Sequence, residues 1–218
     1  MAVKRADPPA AKRPPRRRRS DGERSRAAIL GEAARLATVE GLEGLSLARL
    51  ADAVGMSKSG LFAHFGSKEE LQLATIEAAS AIFEELVIEP GGAEHPGVPR
   101  LRGYVERFLH HVDEGVFPGG CFFVSAVGEL GTHPGPVRDG AMAFSQRWLG
   151  LLAEEVAAGQ AAGELDPGAD PQQIAFELNA YMVLGNILFV ATADSAALDR
   201  VRSAVDARLA ALALVTSR

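Results

Sequence analysis

The chain has 218 residues, a net charge of −5 and one cysteine. That length buries a hydrophobic core without covalent staples, and a single cysteine excludes an internal disulfide framework. The N-terminal stretch has no apolar h-region of a secretory signal, and the longest apolar run, residues 180–193, is interrupted by Asn186 and short for a bilayer span, so a soluble protein of the reducing cytoplasm is expected.

The charge is unevenly distributed. Residues 1–19 carry eight Lys/Arg against one Asp, residues 20–68 carry six of each sign, and residues 69–218 carry nine basic and twenty-one acidic side chains. Nucleic acid therefore suits the N-terminal end and not the body. Residues 1–20, rich in Pro and Arg and poor in large apolar groups, predict a disordered basic arm. From Ser20 the pattern is helical. Ile29, Ala33, Leu36 and Ala37 share one face, and Gly41 is a natural stop. Ser46 precedes a short helix to Ala53, and after Gly55, Ser57 opens another to about His64. Ser67 and Glu70 form a capping box at the head of a long helix running to about Glu89, with Pro90 as its stop. Further helices are expected at about 100–114, 121–130, 137–162, 171–192 and from Asp194/Ser195 to about Val215. Strand alternation and hairpin turns are missing from the pattern. The expectation is an all-α protein of about nine helices, divided into an arm (1–20), a helix-turn-helix unit (21–68) and a larger helical domain (69–218).

The informative stretch is LSLARLADAVGMSKSGLFAHFGSKEEL, residues 45–71. Leu47, Leu50, Ala51 and Val54 of the first short helix face Leu61 and Phe65 of the second, across a tight turn containing Gly55. The second helix leaves Ser57, Lys58, Ser59, Gly60, Phe62 and His64 on its other faces, and such short, polar and cationic groups suit base edges and phosphates in a major groove. Taken singly, each has an ordinary reading: Lys58 as a solvated charge, His64 as a buried imidazole, Ser46 and Ser67 as caps. Their joint spacing carries the functional one.

In these residues the chain resembles the DNA-binding domain of TetR-type, tetracycline-repressor-like transcriptional regulators. Gly41-Leu42, Ser46-Leu47-x-x-Leu50-Ala51, Gly55-Met56-Ser57-Lys58 and Leu61-Phe62-x-His64-Phe65-x-Ser67-Lys68 all fall in register. A Pro-Gly-Gly-Cys-Phe segment, Pro118 to Phe122, is similar to a subset of that family. The resemblance implies an operator-binding homodimer with an N-terminal three-helix DNA-binding domain and a C-terminal ligand-binding and dimerisation domain. It implies that Ser46, His64 and Lys68 touch the DNA backbone, that Ser57, Lys58, Ser59 and Gly60 lie in or beside the major groove, and that Arg24 and Arg26 reach flanking phosphates. Phe62 stands where the family usually has Tyr, so it packs or meets a thymine methyl. The Arg-rich arm would follow the backbone or enter a minor groove.

In the larger domain, Ile174, Leu178, Tyr181, Met182, Gly185 and Phe189, with Val201, Val205, Leu209, Leu212 and Val215, predict a dimerising four-helix bundle. Phe108, Phe122, Phe123, Phe144, Trp148, Phe176 and Tyr181, together with Met142, are candidates to line a pocket for a small hydrophobic effector, with His110, His111, Asn179 or Asn186 as polar anchors. The long helix from Ser67 is the expected lever between the domains. No residue set for catalysis, metal or cofactor is recognised, and an unpaired Cys121 reads as a small hydrophobe. The alternatives are an architectural DNA binder relying on the arm and an enzyme of small apolar substrates.

Overall fold

The computed structural model describes residues 16–214, with side chains from residue 22. The helices are α1 (Arg16–Glu40), α2 (Leu47–Ala53), α3 (Lys58–Phe62), α4 (Lys68–Phe83), α5 (Val98–Asp113), α6 (Phe122–Leu130), α7 (Pro136–Ala161), α8 (Pro171–Thr192) and α9 (Ala196–Leu212). α4 continues through a π turn, Glu84–Ile88, and a last turn, Glu89–Gly91. Among the described residues there is no strand, only an isolated bridge between Leu165 and Ala213.

Most expected boundaries coincide with caps. Ser46, Ser57 and Ser67 accept the backbone N–H of Arg49, Gly60 and Glu70, and Asp170 accepts that of Gln172. Three features differ from expectation. α1 starts at Arg16, so residues 16–20, assigned to the arm, are helical: past Pro15 the chain holds good helix formers and no proline. Residues 1–15 of the arm lie outside the described residues. Pro90 does not stop α4 directly. The π turn, in which the Glu89 N–H bonds the Glu84 carbonyl, offsets the ladder ahead of a residue without an N–H. Finally, α8 spans 22 residues and by length and composition could cross a bilayer, contrary to the short run expected. It packs along one stripe as a core helix: Ile174, Leu178, Met182 and Gly185 are buried against the rest of the chain.

That stripe also corrects the dimer surface. The residues expected between two chains face their own core, as do Val201, Val205, Leu209 and Leu212 of α9, while Tyr181 and Phe189 are half-buried and Val215 lies outside the described residues. A Cβ at Gly185 would meet Val201, so the close helix approach this glycine allows is between α8 and α9 of one chain. α8 also carries a second apolar stripe. Here it is Phe176, Leu184, Ile187 and Leu188, all exposed.

The core is aromatic. Phe83 at the end of α4 sits edge-on to Phe108, Phe123, Phe144 and Trp148, with ring centroids 5.2–6.4 Å away. One side chain thus ties α4 to α5, α6 and α7.

Candidate functional site

Two surfaces carry the expected chemistry: the outer face of α2–α3 and the cavity around Phe83. In the first, Leu42, Leu45, Leu50, Ala51, Leu61 and Phe65 form a sealed apolar floor. Gly55 makes the turn with φ +65°, a value L side chains adopt at a cost, and Met56 N–H closes it on the Ala51 carbonyl at 2.9 Å. Above that floor Ser57, Lys58, Ser59 and Phe62 point outward, with Phe62 46% exposed. Lys58 and Phe62, one helical turn apart, share a face. An exposed large aromatic beside a lysine is available to a partner.

The remaining expected contacts divide. Ser46 is exposed and caps α2, and Arg24 is exposed near the start of the described side chains. Gly60 donates its N–H to the Ser57 hydroxyl at 3.1 Å. Arg26 is turned inward: its guanidinium donates to the His64 carbonyl at 2.5 Å and lies 4.4 Å from the centre of the Phe65 ring. It therefore fixes the end of the recognition segment against α1, which corrects its expected place on flanking phosphates. His64 is half-buried beside Phe65. Lys68 donates to the Glu43 carbonyl at 2.5 Å and reaches its carboxylate at 3.5 Å. The Glu70 carboxylate of the capping box reaches one residue further back than expected, accepting the Gly66 N–H at 2.9 Å.

The loop leading into this unit is held from the other domain. Glu129, in the last turn of α6, accepts the backbone N–H groups of Leu42 at 2.6 Å and Glu43 at 2.8 Å. From α4, Gln72 is buried and donates to the Leu42 carbonyl at 2.8 Å. Sequence reasoning missed Glu129. The available signal was an acidic residue in a helix's last turn, where the macrodipole disfavours an anion.

The cavity has a volume of about 400 Å³. Its walls are Phe83 from α4, Phe108 from α5, Phe123 and Val127 from α6, Phe144 and Trp148 from α7, and Asn179, Val183 and Ile187 from α8. Of the pocket candidates, Phe108, Phe123, Phe144, Trp148 and Met142 line this cavity. Three candidates do not: Phe122 is buried beside Phe117, Tyr181 is half-buried elsewhere, and Phe176 is 60% exposed. The helical turn places these positions on neighbouring faces. Of the expected anchors, Asn179 lines the cavity and accepts the Trp148 indole N–H at 3.1 Å. Asn186 instead holds the Cys121 N–H at 2.8 Å, and His110 is exposed beside Glu114. His111 is buried between the rings of Phe83 and Phe117, at 5.8 and 5.6 Å. Neither of its ring nitrogens has a hydrogen-bond partner among the described residues, and burial, with the neighbouring His110, pulls its pKa down to about 4. Burial also pushes the Cys121 thiol up to about 11, so it stays protonated and unreactive.

Comparison with known proteins places both parts of the chain in one family. Residues 29–75 match the family model "Bacterial regulatory proteins, tetR family", and residues 97–205 match "Tetracyclin repressor-like, C-terminal domain". The HTH-type transcriptional repressor AcnR of Corynebacterium glutamicum is 41% identical over 70 residues, which is 32% of this chain and 37% of that protein. The match thus spans little more than a third of this curated relative's length. A TetR transcriptional regulator from Chloroflexus aurantiacus shares the fold, with a TM-score of 0.82 and 22% identity over 89% of this chain and 98% of the other. AibR, solved with isovaleryl coenzyme A and operator DNA, is 26% identical, with a TM-score of 0.65 over 86% of this chain and 97% of AibR.

Proposed function

Because the chain belongs to the TetR family of bacterial transcriptional regulators, we propose that it is a cytoplasmic repressor, not an enzyme, which binds a palindromic operator as a homodimer and leaves it when a small hydrophobic effector enters the cavity. The observation that carries this reading is the outward face of α3, with Ser57, Lys58, Ser59 and Phe62 exposed over a sealed core. These residues enter the major groove, Lys58 and the serines on base edges or phosphates and Phe62 against a thymine methyl. Ser46, His64 and Lys68 flank the groove, Lys68 exchanging its Glu43 contact for phosphate. Arg24 and the basic arm extend the electrostatic footprint, while the acidic body turns the N-terminal ends toward the duplex.

The exposed stripe of α8 is the dimer surface. Phe176, Leu184, Ile187 and Leu188 are large apolar groups that a monomer would leave in water. Coupling runs along two helices that each wall the cavity and hold the DNA-binding unit: α4, through Phe83 and Gln72, and α6, through Val127 and Glu129. An effector that fits better when these helices separate shifts the population away from the DNA-binding spacing, by its differential affinity alone. Relatives support repression and ligand response: AcnR is named a repressor, and AibR was solved with an acyl thioester and its operator.

Selection of bound sequences from a random DNA pool tests the reading. A palindrome whose half-sites lie about 34–36 Å apart, one helical turn, is expected. Enrichment without any motif, with a steep salt dependence, would instead identify an architectural binder.

A further inference from the structure

We propose that the cavity takes an uncharged, flat, largely apolar ligand bearing one hydrogen-bond acceptor, of the chemistry of an aryl ketone, and that it rejects carboxylates and coenzyme A thioesters. The inference rests on the effector-responsive reading above and adds the chemical class.

The argument starts from what the walls lack. Among the described residues, no Asp, Glu, Lys, Arg or His lines the cavity. A carboxylate or phosphate inside would lose its hydration and meet no cation. The Arg147 guanidinium is committed elsewhere: it lies 5.3 Å from the centre of the Phe144 ring and bonds the Glu84 carboxylate at 3.1 Å. The Cys121 thiol in the wall is protonated and adds no charge.

The polarity of the ligand follows from a constraint on Asn179. An indole N–H only donates, so the 3.1 Å contact with Trp148 requires the amide oxygen of Asn179 to face it. The amide NH₂ then has no partner among the described residues and is left for the cavity. A donor in this position calls for an acceptor on the ligand. Ser145, the other polar wall residue, donates to the Ala141 carbonyl at 3.2 Å and offers no second donor.

Shape follows from the aromatic walls. Phe123 and Phe144 lie face to face, with centroids 3.5 Å apart and planes at 10°, the arrangement aromatic rings favour least. A flat ring suits walls built of planar rings, stacking on an outer face of the pair. The volume of about 400 Å³ is toward the small end of ligand sites, enough for a ring system with a short substituent and too little for coenzyme A.

Trp148 is the only tryptophan in the chain and lines the cavity, so its indole N–H is a single resonance reporting on the site. We would titrate the nitrogen-15-labelled full chain with acetophenone, ethylbenzene, benzoate and isovaleryl coenzyme A. Acetophenone should shift the indole resonance saturably. Ethylbenzene, which keeps the shape without the acceptor, should bind about five- to tenfold more weakly, the value of one hydrogen bond. Benzoate and isovaleryl coenzyme A should leave the resonance in place at the same concentrations. Equal affinity of ethylbenzene or benzoate for the unmodified chain, no shift with acetophenone, or binding of the thioester overturns the proposal without any variant. A parallel gel shift on selected DNA separates the two readings. Acetophenone binding with no release of DNA, or no specific DNA binding at all, sinks the regulator and spares the ligand class.

Discussion

Replacing Glu129 by alanine probes the link between the two surfaces. Its carboxylate accepts two backbone N–H groups from the loop ahead of α2, at 2.6 and 2.8 Å. Hydrogen bonds to a charged acceptor contribute about 1.5–3 kcal/mol each when shielded. The Glu43 amide is exposed and exchanges its bond for water, so its share is small; the Leu42 amide is part-buried and retains most of its share. The variant also relieves an anion near the C-terminus of α6, returning ~0.5 kcal/mol. The net loss is then about 2 kcal/mol, which for a chain of this size lowers the melting temperature by about 4–8 °C. Hydrogen exchange supplies the local readout: Leu42 should lose about tenfold or more of its amide protection, a factor of ten per 1.4 kcal/mol. Glu129→Gln, which keeps one carbonyl oxygen, should fall between the two. An alanine variant that melts within ~0.5 kcal/mol of the parent, with Leu42 protection unchanged, would mean that Gln72 and Lys68 hold the loop unaided.

Three further outcomes are expected. His111 has a folded pKa of about 4 against an ordinary 6.5, so the unfolded chain binds the extra proton between those values; stability should fall as pH drops from 6.5 to 4, by up to about 3 kcal/mol, and His111→Leu should flatten that limb of a denaturant–pH profile. Parallel profiles would show that the imidazole is not buried uncharged. Deleting residues 2–15 removes four Lys/Arg and leaves α1 whole; operator affinity should drop and the log–log salt slope should shrink by about 2–4, whereas an unchanged slope would leave the arm no role on DNA. Leu184→Glu, on the exposed stripe of α8, should sediment as a monomer with helicity intact and lose palindrome binding; a persisting dimer would move the interface elsewhere.

The legible parts of this molecule are those encoded over a few residues. Ser46, Ser57, Ser67 and Asp170 each mark a helix start within hydrogen-bond reach of their own cap, and Gly55 marks a turn that needs positive φ. The outward residues of α3 follow from the same short period. Which of two apolar stripes a helix buries was not legible. On α8 two stripes compete, and only the tertiary fold selects Ile174, Leu178 and Met182 for the core and Phe176 and Leu184 for the surface. Long-range polar contacts were equally hidden. Glu129 meets a loop 87 residues away, and Arg26 meets His64 across 38. Both break a local expectation, an acid at a helix end and a cation folded over a ring, and both tie one segment to another.

The π turn of α4 has a mechanical corollary. From Lys68 to Phe83 the helix keeps its regular ladder, and the register slips immediately afterwards, over Glu84–Ile88. Displacement applied at Phe83 reaches Ser67 along an unbroken α-helical ladder and Gly91 only across the π turn. A proline that a sequence reader takes for the end of the shaft thus has the π turn beside it, and the unbroken end is the one that carries the recognition unit.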